Sequence, residues 1–292
     1  MNKEKALVIF GPTASGKSST ALRIAEKYDS TIINSDSIQV YKDLRLITSR
    51  PSIQDEKRIN HRLYGFLKGK ENCTLSKWLS LVKKEINLSF ENNKLPIIVG
   101  GTGMYLKGLI DGISLIPKIP NSVTEQTRNI ISENGLNFIY KILLKKNKNL
   151  KINPSDTQRI QRAYNVLVGT GKTIEEWNLK NEKIIEDLKL DIVIQEFDRS
   201  EIYRNSEKRF DKMIGDGGIE EVKQLLEMKY DPNSSIMKAI GVREISKYLN
   251  NELTLQEASD LAKQKTRNYI KRQITWIKGN NITQNCSIEK YL

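Results

Sequence analysis

Residues 11–18 read Gly-Pro-Thr-Ala-Ser-Gly-Lys-Ser, and few strings of this length restrict a fold so tightly. Residues 6–10 form a short apolar run of the kind that makes a buried strand. After the loop, Ala21, Leu22, Ile24, Ala25 and Tyr28 recur at helical spacing. A strand that turns through glycine into a helix aims backbone N–H groups, and the positive end of the helix dipole, at one point. The string is a complete G-x-x-x-x-G-K-[ST] phosphate loop in its proper setting. Gly11, Pro12, Thr13, Ala14, Ser15, Gly16, Lys17 and Ser18 are therefore the candidate diphosphate-binding residues. Lys17 adds a charge there, and the Ser18 hydroxyl is the candidate ligand for a magnesium ion. The chain is expected to bind a di- or triphosphate.

Further strands are expected at 31–34, 95–99 and 190–194, each ending in residues suited to a ligand: Ser35-Asp36-Ser37, Gly100-Gly101-Thr102-Gly103 and Asp198. Strands separated by helices argue for a parallel sheet with crossover connections. Ligands collect beyond the carboxyl ends of such strands, so Asp36, Thr102 and Asp198 are expected around the phosphate loop. Between Ile116 and Lys189 the strand pattern gives way to helical periodicity, with Ile160, Ala163, Tyr164 and Leu167 on one stripe. The expected fold class is α/β, a P-loop NTPase-like parallel sheet core with a helical insertion domain. The expected boundaries are 1–115 for the core, 116–189 for the insertion, and 190–292 for the return to the core with C-terminal helices.

The net charge of +13 is concentrated. Residues 137–172 hold eight basic side chains against the single acid Asp156, and residues 263–279 hold six against none. These two segments account for the whole excess. With Tyr164, Tyr269 and Trp276 among them, they point to a polyanion such as nucleic acid. Lys263, Arg267 and Lys271 share a helix face at i, i+4 spacing. Two cysteines, Cys73 and Cys286, suggest neither a disulfide framework nor a zinc site. No apolar stretch is long enough to span a bilayer. No membrane partner is expected, and the first strand leaves no room for a signal peptide, so a cytoplasmic location fits. A second glycine-lysine string at 169–173 lacks the first glycine of a phosphate loop and a preceding strand, and reads as a helix stop. The lone histidine, His61, reads more readily as structural than as catalytic.

The loop alone does not name a reaction. A guanine-selecting Asn-Lys-x-Asp is absent. An ATPase or kinase commonly carries an acid at the end of a central strand, but the strand at 95–99 ends in Gly-Gly-Thr-Gly. The nearest strand-end acid is Asp36, which could act as a base toward whatever attacks the group beside the phosphates, or could cap a helix.

The chain resembles the tRNA dimethylallyltransferases (tRNA isopentenyltransferases) in five ordered blocks. They are residues 11–18, Ile-Asn-Ser-Asp-Ser-Ile-Gln-Val-Tyr at 33–41, Val-Gly-Gly-Thr-Gly-Met-Tyr-Leu at 99–106, Pro-Ser-Asp-Thr-Gln-Arg-Ile-Gln-Arg-Ala at 154–163, and Tyr-Ile-Lys-Arg-Gln-Ile-Thr-Trp at 269–276. The second block is the most specific, because kinases do not pair it with a phosphate loop. The chain departs from the family at Thr48-Ser49-Arg50-Pro51, at Arg62 and at Thr124, and it ends without the zinc-binding extension of eukaryotic relatives, which suggests a bacterial or organellar enzyme.

The resemblance implies transfer of a dimethylallyl group from dimethylallyl diphosphate to N6 of the adenine on the 3′ side of the anticodon in tRNA. It assigns Asp36 as the base and Arg209 as the catalytic cation beside the leaving diphosphate, with magnesium at Ser18. Asp36, Ser37, Ile38 and Gln39 would meet the base, with Gln39 offering a donor and an acceptor to its edge. Thr102 would touch substrate, and Gln158, Arg159, Ile160, Gln161, Arg162, Lys238 and Arg243 would hold tRNA. The anticodon stem-loop is the implied partner, the target base must be everted, and the chain is expected to act as a monomer. Competing readings are an adenylate isopentenyltransferase, a small-molecule or nucleoside kinase, and an RNA-binding ATPase.

Overall fold

A computed structural model describes residues 5–183, 185, 188–280 and 282–292. In chain order the strands are β1 (Lys5–Phe10), β2 (Ser30–Asn34), β3 (Asn60–Arg62), β4 (Leu95–Gly100), β5 (Ile113–Ser114), β6 (Asn181–Glu182) and β7 (Lys189–Ile194). The α-helices are α1 (Lys17–Lys27), α2 (Ile53–Arg58), α3 (Leu75–Glu91), α4 (Gly103–Asp111), α5 (Asn121–Asn134), α6 (Leu136–Lys146), α7 (Thr157–Thr170), α8 (Ile174–Asn178), α9 (Arg199–Met213), α10 (Ile219–Glu227), α11 (Val242–Leu249) and α12 (Leu255–Gly279).

Five strands form one sheet in the order β3-β2-β4-β1-β7, and every pairing is parallel. The four expected strands are present. The fifth, β3, is a polar edge strand that no apolar run announces. Side chains alternate across the sheet. Leu7, Ile9, Ile32, Ile97, Val99 and Val193 pack with Ala21, Ile24 and Ala25 of α1. On α3, Trp78 stacks on Tyr105 of α4 at 4.3 Å between ring centroids, and its indole N–H donates to the Asn34 carbonyl at 2.9 Å. A separate cluster joins Val40, Tyr41, Leu44 and Ile47 of the segment after β2 to Val222, Leu225, Val242 and Ile245 of α10 and α11.

The chain divides into two compact units, residues 1–109 with 185–292, and residues 110–184. The second unit contains α5 to α8 around Ile139, Leu143, Ile160, Ala163 and Leu167. A two-residue antiparallel pair, β5 with β6, closes it, which periodicity at this length does not disclose.

Candidate active site

The phosphate loop forms because β1 must reverse into α1 within a few residues. Ala14 (φ 64°) and Gly16 (φ 87°) both take the left-handed region, which only glycine adopts without strain. The Ser15 N–H donates to the Pro12 carbonyl at 3.3 Å, and Lys17 Nζ donates to the same carbonyl at 2.6 Å. No side chain caps α1, so its N-terminus is open to an anion.

Two adjoining cavities meet at this loop. The first, of about 290 Å³, is lined by Thr13, Ala14, Gly16, Lys17, Ser18 and Ser19, and opposite them by Asp36, Gln39, Tyr64, Asn205 and Arg209. The second, of about 340 Å³, has apolar walls from Ile38, Ile47, Phe210, Met213, Ala239, Ile240 and Tyr269, with Ser37, Lys238 and Arg272 among them. Thr13, Asp36, Thr48, Ser49 and Arg209 line both. A polar chamber on the phosphate loop thus opens past Asp36 and Arg209 into a chamber with an apolar lining.

Asp36 follows β2 and does not cap a helix. Its Oδ1 accepts from the N–H groups of Ile38 (2.9 Å) and Gln39 (3.4 Å). The Gln39 amide nitrogen donates to the carbonyls of Thr48 (2.8 Å) and Ser49 (2.9 Å). Its donor half is therefore already committed, and only its oxygen can meet a ligand, a correction to the expectation that both halves read a base. The segment just before those carbonyls is held by Glu221, whose carboxylate accepts from the N–H groups of Arg45 (2.6 Å), Leu46 (2.9 Å) and Ile47 (2.9 Å).

Burial lowers the Lys17 ammonium to about 7, with Asp36 opposing the shift and Arg209 adding to it. Burial also lowers the Arg209 guanidinium, again against Asp36, and its Nε is shielded from solvent without a partner. A lysine and an arginine, both disfavoured as cations by burial, face one carboxylate, and a bound anion would favour the charged form of each. Among the described residues no group of three or more His, Cys, Asp or Glu could cage a metal ion. Ser18 and Asp36 line the same chamber, however, and magnesium commonly takes one or two protein oxygens and completes its shell with substrate phosphates and water. The donors present fit that ion.

Other expected residues are distributed less evenly. Ser37, Ile38 and Lys238 line the second chamber. Thr102 lines neither. Its Oγ1 accepts from the Ser37 N–H at 3.0 Å, so it shapes the segment beside Asp36. Asp198 is not part of the site: its carboxylate caps α9 by accepting from the Glu201 N–H at 2.8 Å. Gln158, Arg159 and Arg162 are exposed on α7 and Gln161 is half-buried, but Ile160 is fully buried in the core of the second unit and cannot touch RNA. Arg243 is exposed on α11, outside both chambers. On α12, Lys263 pairs with Asp211 at 2.6 Å, Arg267 with Glu207, and Lys265 with Glu244. Half of that basic segment is thus neutralised within the protein, a correction to its reading as a free RNA-binding face. Sequence reasoning missed Thr48, Ser49 and Tyr64 in the first chamber, and Tyr269 and Arg272 in the second, although the last two lie inside the fifth motif.

A parallel sheet in which an interior strand, β1, runs through a glycine loop into a helix, with buried basic side chains and a carboxylate over that loop, defines a P-loop protein. The family model for IPP transferase matches residues 39–280, and the chain belongs to that family. It is 41% identical over 282 residues to a tRNA dimethylallyltransferase of Pelagibacter ubique, covering 94% of this chain and 89% of the relative. It is 40% identical over 281 residues to one of Wolbachia pipientis, covering 95% and 93%. Among solved structures it is similar to a eukaryotic dimethylallyltransferase acting on tRNA (TM-score 0.80, 28% identity, 94% of this chain and 70% of that one). It is also similar to a tRNA delta(2)-isopentenylpyrophosphate transferase of Staphylococcus epidermidis (TM-score 0.68, 27% identity, 99% and 94%).

Proposed function

We propose that this chain transfers a dimethylallyl group from dimethylallyl diphosphate to N6 of the adenine 3′ to the anticodon of tRNA, releasing diphosphate. The observation that carries the reading is the junction of the two chambers at Asp36 and Arg209. A diphosphate on the loop would direct its hydrocarbon end past these residues into the apolar chamber. An everted base entering from that side would meet the allylic carbon beside a carboxylate.

The step is a displacement. The adenine nitrogen forms a bond to the allylic carbon as that carbon's bond to the diphosphate oxygen breaks, and the amine proton passes to Asp36. An exocyclic amine is a weak nucleophile, so a nearby base must hold that proton as positive charge develops on nitrogen. Lys17, Arg209 and the open N–H groups at the start of α1 face the charge that grows on the departing diphosphate. Ser18 would hold a magnesium ion jointly with the diphosphate oxygens, and that ion would supply further charge neutralisation. The walls of Ile38, Ile47, Phe210 and Met213 would exclude water from the allylic carbon, which water would otherwise consume.

Among the described residues no helix is long and apolar enough to cross a membrane; the cytoplasm, where tRNA is found, is the proposed location. The test is mass spectrometry of tRNA after incubation with dimethylallyl diphosphate and magnesium. The expected result is one dimethylallyl group gained on the adenine beside the anticodon. Phosphate transfer from labelled ATP to a small acceptor, with tRNA unchanged, would favour a kinase instead.

A further inference from the structure

The last helix reaches the phosphate loop through a single amide. Gln273, buried on α12, accepts from the Thr13 N–H at 2.8 Å through Oε1 and donates to the Gly101 carbonyl at 2.9 Å through Nε2. Thr13 belongs to the loop after β1, and Gly101 to the turn after the neighbouring β4. The fit allows no slack, because a Cβ on Gly101 would stand 2.5 Å from Gln273 Nε2 and 2.8 Å from the Gly11 carbonyl oxygen. Nearly one turn further along, Trp276 covers Gly103 and meets Phe10 at 5.7 Å between ring centroids. About one turn earlier, Tyr269 lines the apolar chamber, as does Arg272.

A backbone N–H in a loop of this kind ordinarily faces phosphate. That of Thr13 is instead taken by Gln273, so it holds the loop rather than the ligand. Breaking either bond would leave a buried polar group unmatched, which gives the amide a firm grip. We propose that Gln273 is a positioning residue that pins the phosphate loop to α12 and keeps the diphosphate chamber in register with the acceptor chamber. Gln273 lines neither chamber and acts through Thr13 and Gly101. The inference rests on the proposed assignment of the loop to diphosphate, but not on which group that diphosphate carries.

Gln273→Met keeps the side chain's length and removes both hydrogen bonds. Two readouts on the full chain test it: calorimetric binding of inorganic diphosphate, and KM for each substrate in the prenylation assay. Diphosphate binding is expected to weaken about tenfold and the KM for dimethylallyl diphosphate to rise about tenfold, with the KM for tRNA within about twofold of the parent. Gln273→Glu retains the acceptor for Thr13 but sets a carboxylate against the Gly101 carbonyl. Its diphosphate binding should be weak at neutral pH and recover on acidification, when the carboxyl regains a donor. Unchanged diphosphate binding in Gln273→Met, or an equal rise in both KM values, overturns the proposal. Should that variant fail to fold, Gln273→Glu carries the test alone, and parent-level diphosphate binding by it at neutral pH overturns the proposal. A parent chain that binds diphosphate but leaves tRNA unmodified would end the proposed function while the calorimetric comparison still decides the role of Gln273.

Discussion

The side-chain amide of Asn34 holds the backbone of Asp36 from both sides: its Oδ1 accepts from the Asp36 N–H at 2.8 Å and its Nδ2 donates to the Asp36 carbonyl at 2.9 Å. The same nitrogen also donates to the Leu63 carbonyl, and Asn34 is fully buried. The carboxylate proposed as the base is thus set by a residue two positions earlier that never meets the ligand. Asn34→Asp would lose both donated bonds and place a second acid beside Asp36. A fall in kcat of at least about tenfold is expected, by comparison with the 10²–10⁴-fold that a positioned base contributes. Steady-state prenylation kinetics on the folded variant check this.

Asp36→Asn preserves size but cannot take the amine proton. Turnover is expected to fall by roughly 10²–10⁴-fold, with tRNA affinity in a gel-shift assay unchanged. Prenylation at the parent rate would remove Asp36 from the role of base.

Arg209→Ala removes a cation that lines both chambers. The expected result is a loss of roughly 10²–10³-fold in kcat, of the size seen when a donor to a developing anion is deleted. Single-turnover measurements locate the loss in the chemical step. A variant altered only in tRNA affinity would contradict the assignment.

Lys17 sits at about 7 in the free protein because burial disfavours its charge. A bound diphosphate favours the ammonium and raises that value, so binding above neutral pH must take up a proton. Affinity for inorganic diphosphate is accordingly expected to fall as pH rises through and beyond about 7, by up to about tenfold per pH unit. Calorimetry in buffers of different ionisation enthalpy measures the proton uptake directly, and Lys17→Arg should abolish it. The sign for folding is the reverse. The unfolded chain binds this proton more tightly, so the lysine's contribution to stability grows as pH rises from about 7 toward the ordinary lysine value.

Glu221→Ala would leave three backbone N–H groups, on Arg45, Leu46 and Ile47, without their acceptor. A loss of about 2 kcal/mol in a urea titration is expected, the size typical of stranded donors. Because this carboxylate also holds residues 45–47, which lead directly into Thr48 and Ser49, prenylation should weaken by more than the unfolded fraction explains.

The phosphate loop, four strands and the helical character of the insertion were legible because each is written in contiguous residues. An apolar run, a glycine pair and a helical period are local patterns. The edge strand Asn60-His61-Arg62 was not legible, since its pairing with β2 follows from backbone hydrogen bonds that its polar side chains do not signal. Asp198 was misread for a related reason. It follows a strand in the sequence, but β7 ends at Ile194 and the Asp198 carboxylate is captured by the helix that follows.

Local chemistry thus determined that this chain has a phosphate-loop motif, an acid after its second strand and two basic stretches, because residue type and spacing alone fix those features. Tertiary structure alone decided which charges are free. The i, i+4 spacing on α12 establishes that Lys263 and Arg267 share a face, but their pairing with Asp211 and Glu207 depends on where α9 packs. It likewise decided that Gln273, 260 residues from Thr13, closes on the phosphate loop. A hydrogen bond between residues so distant in sequence exists only once the sheet and the last helix have been brought together.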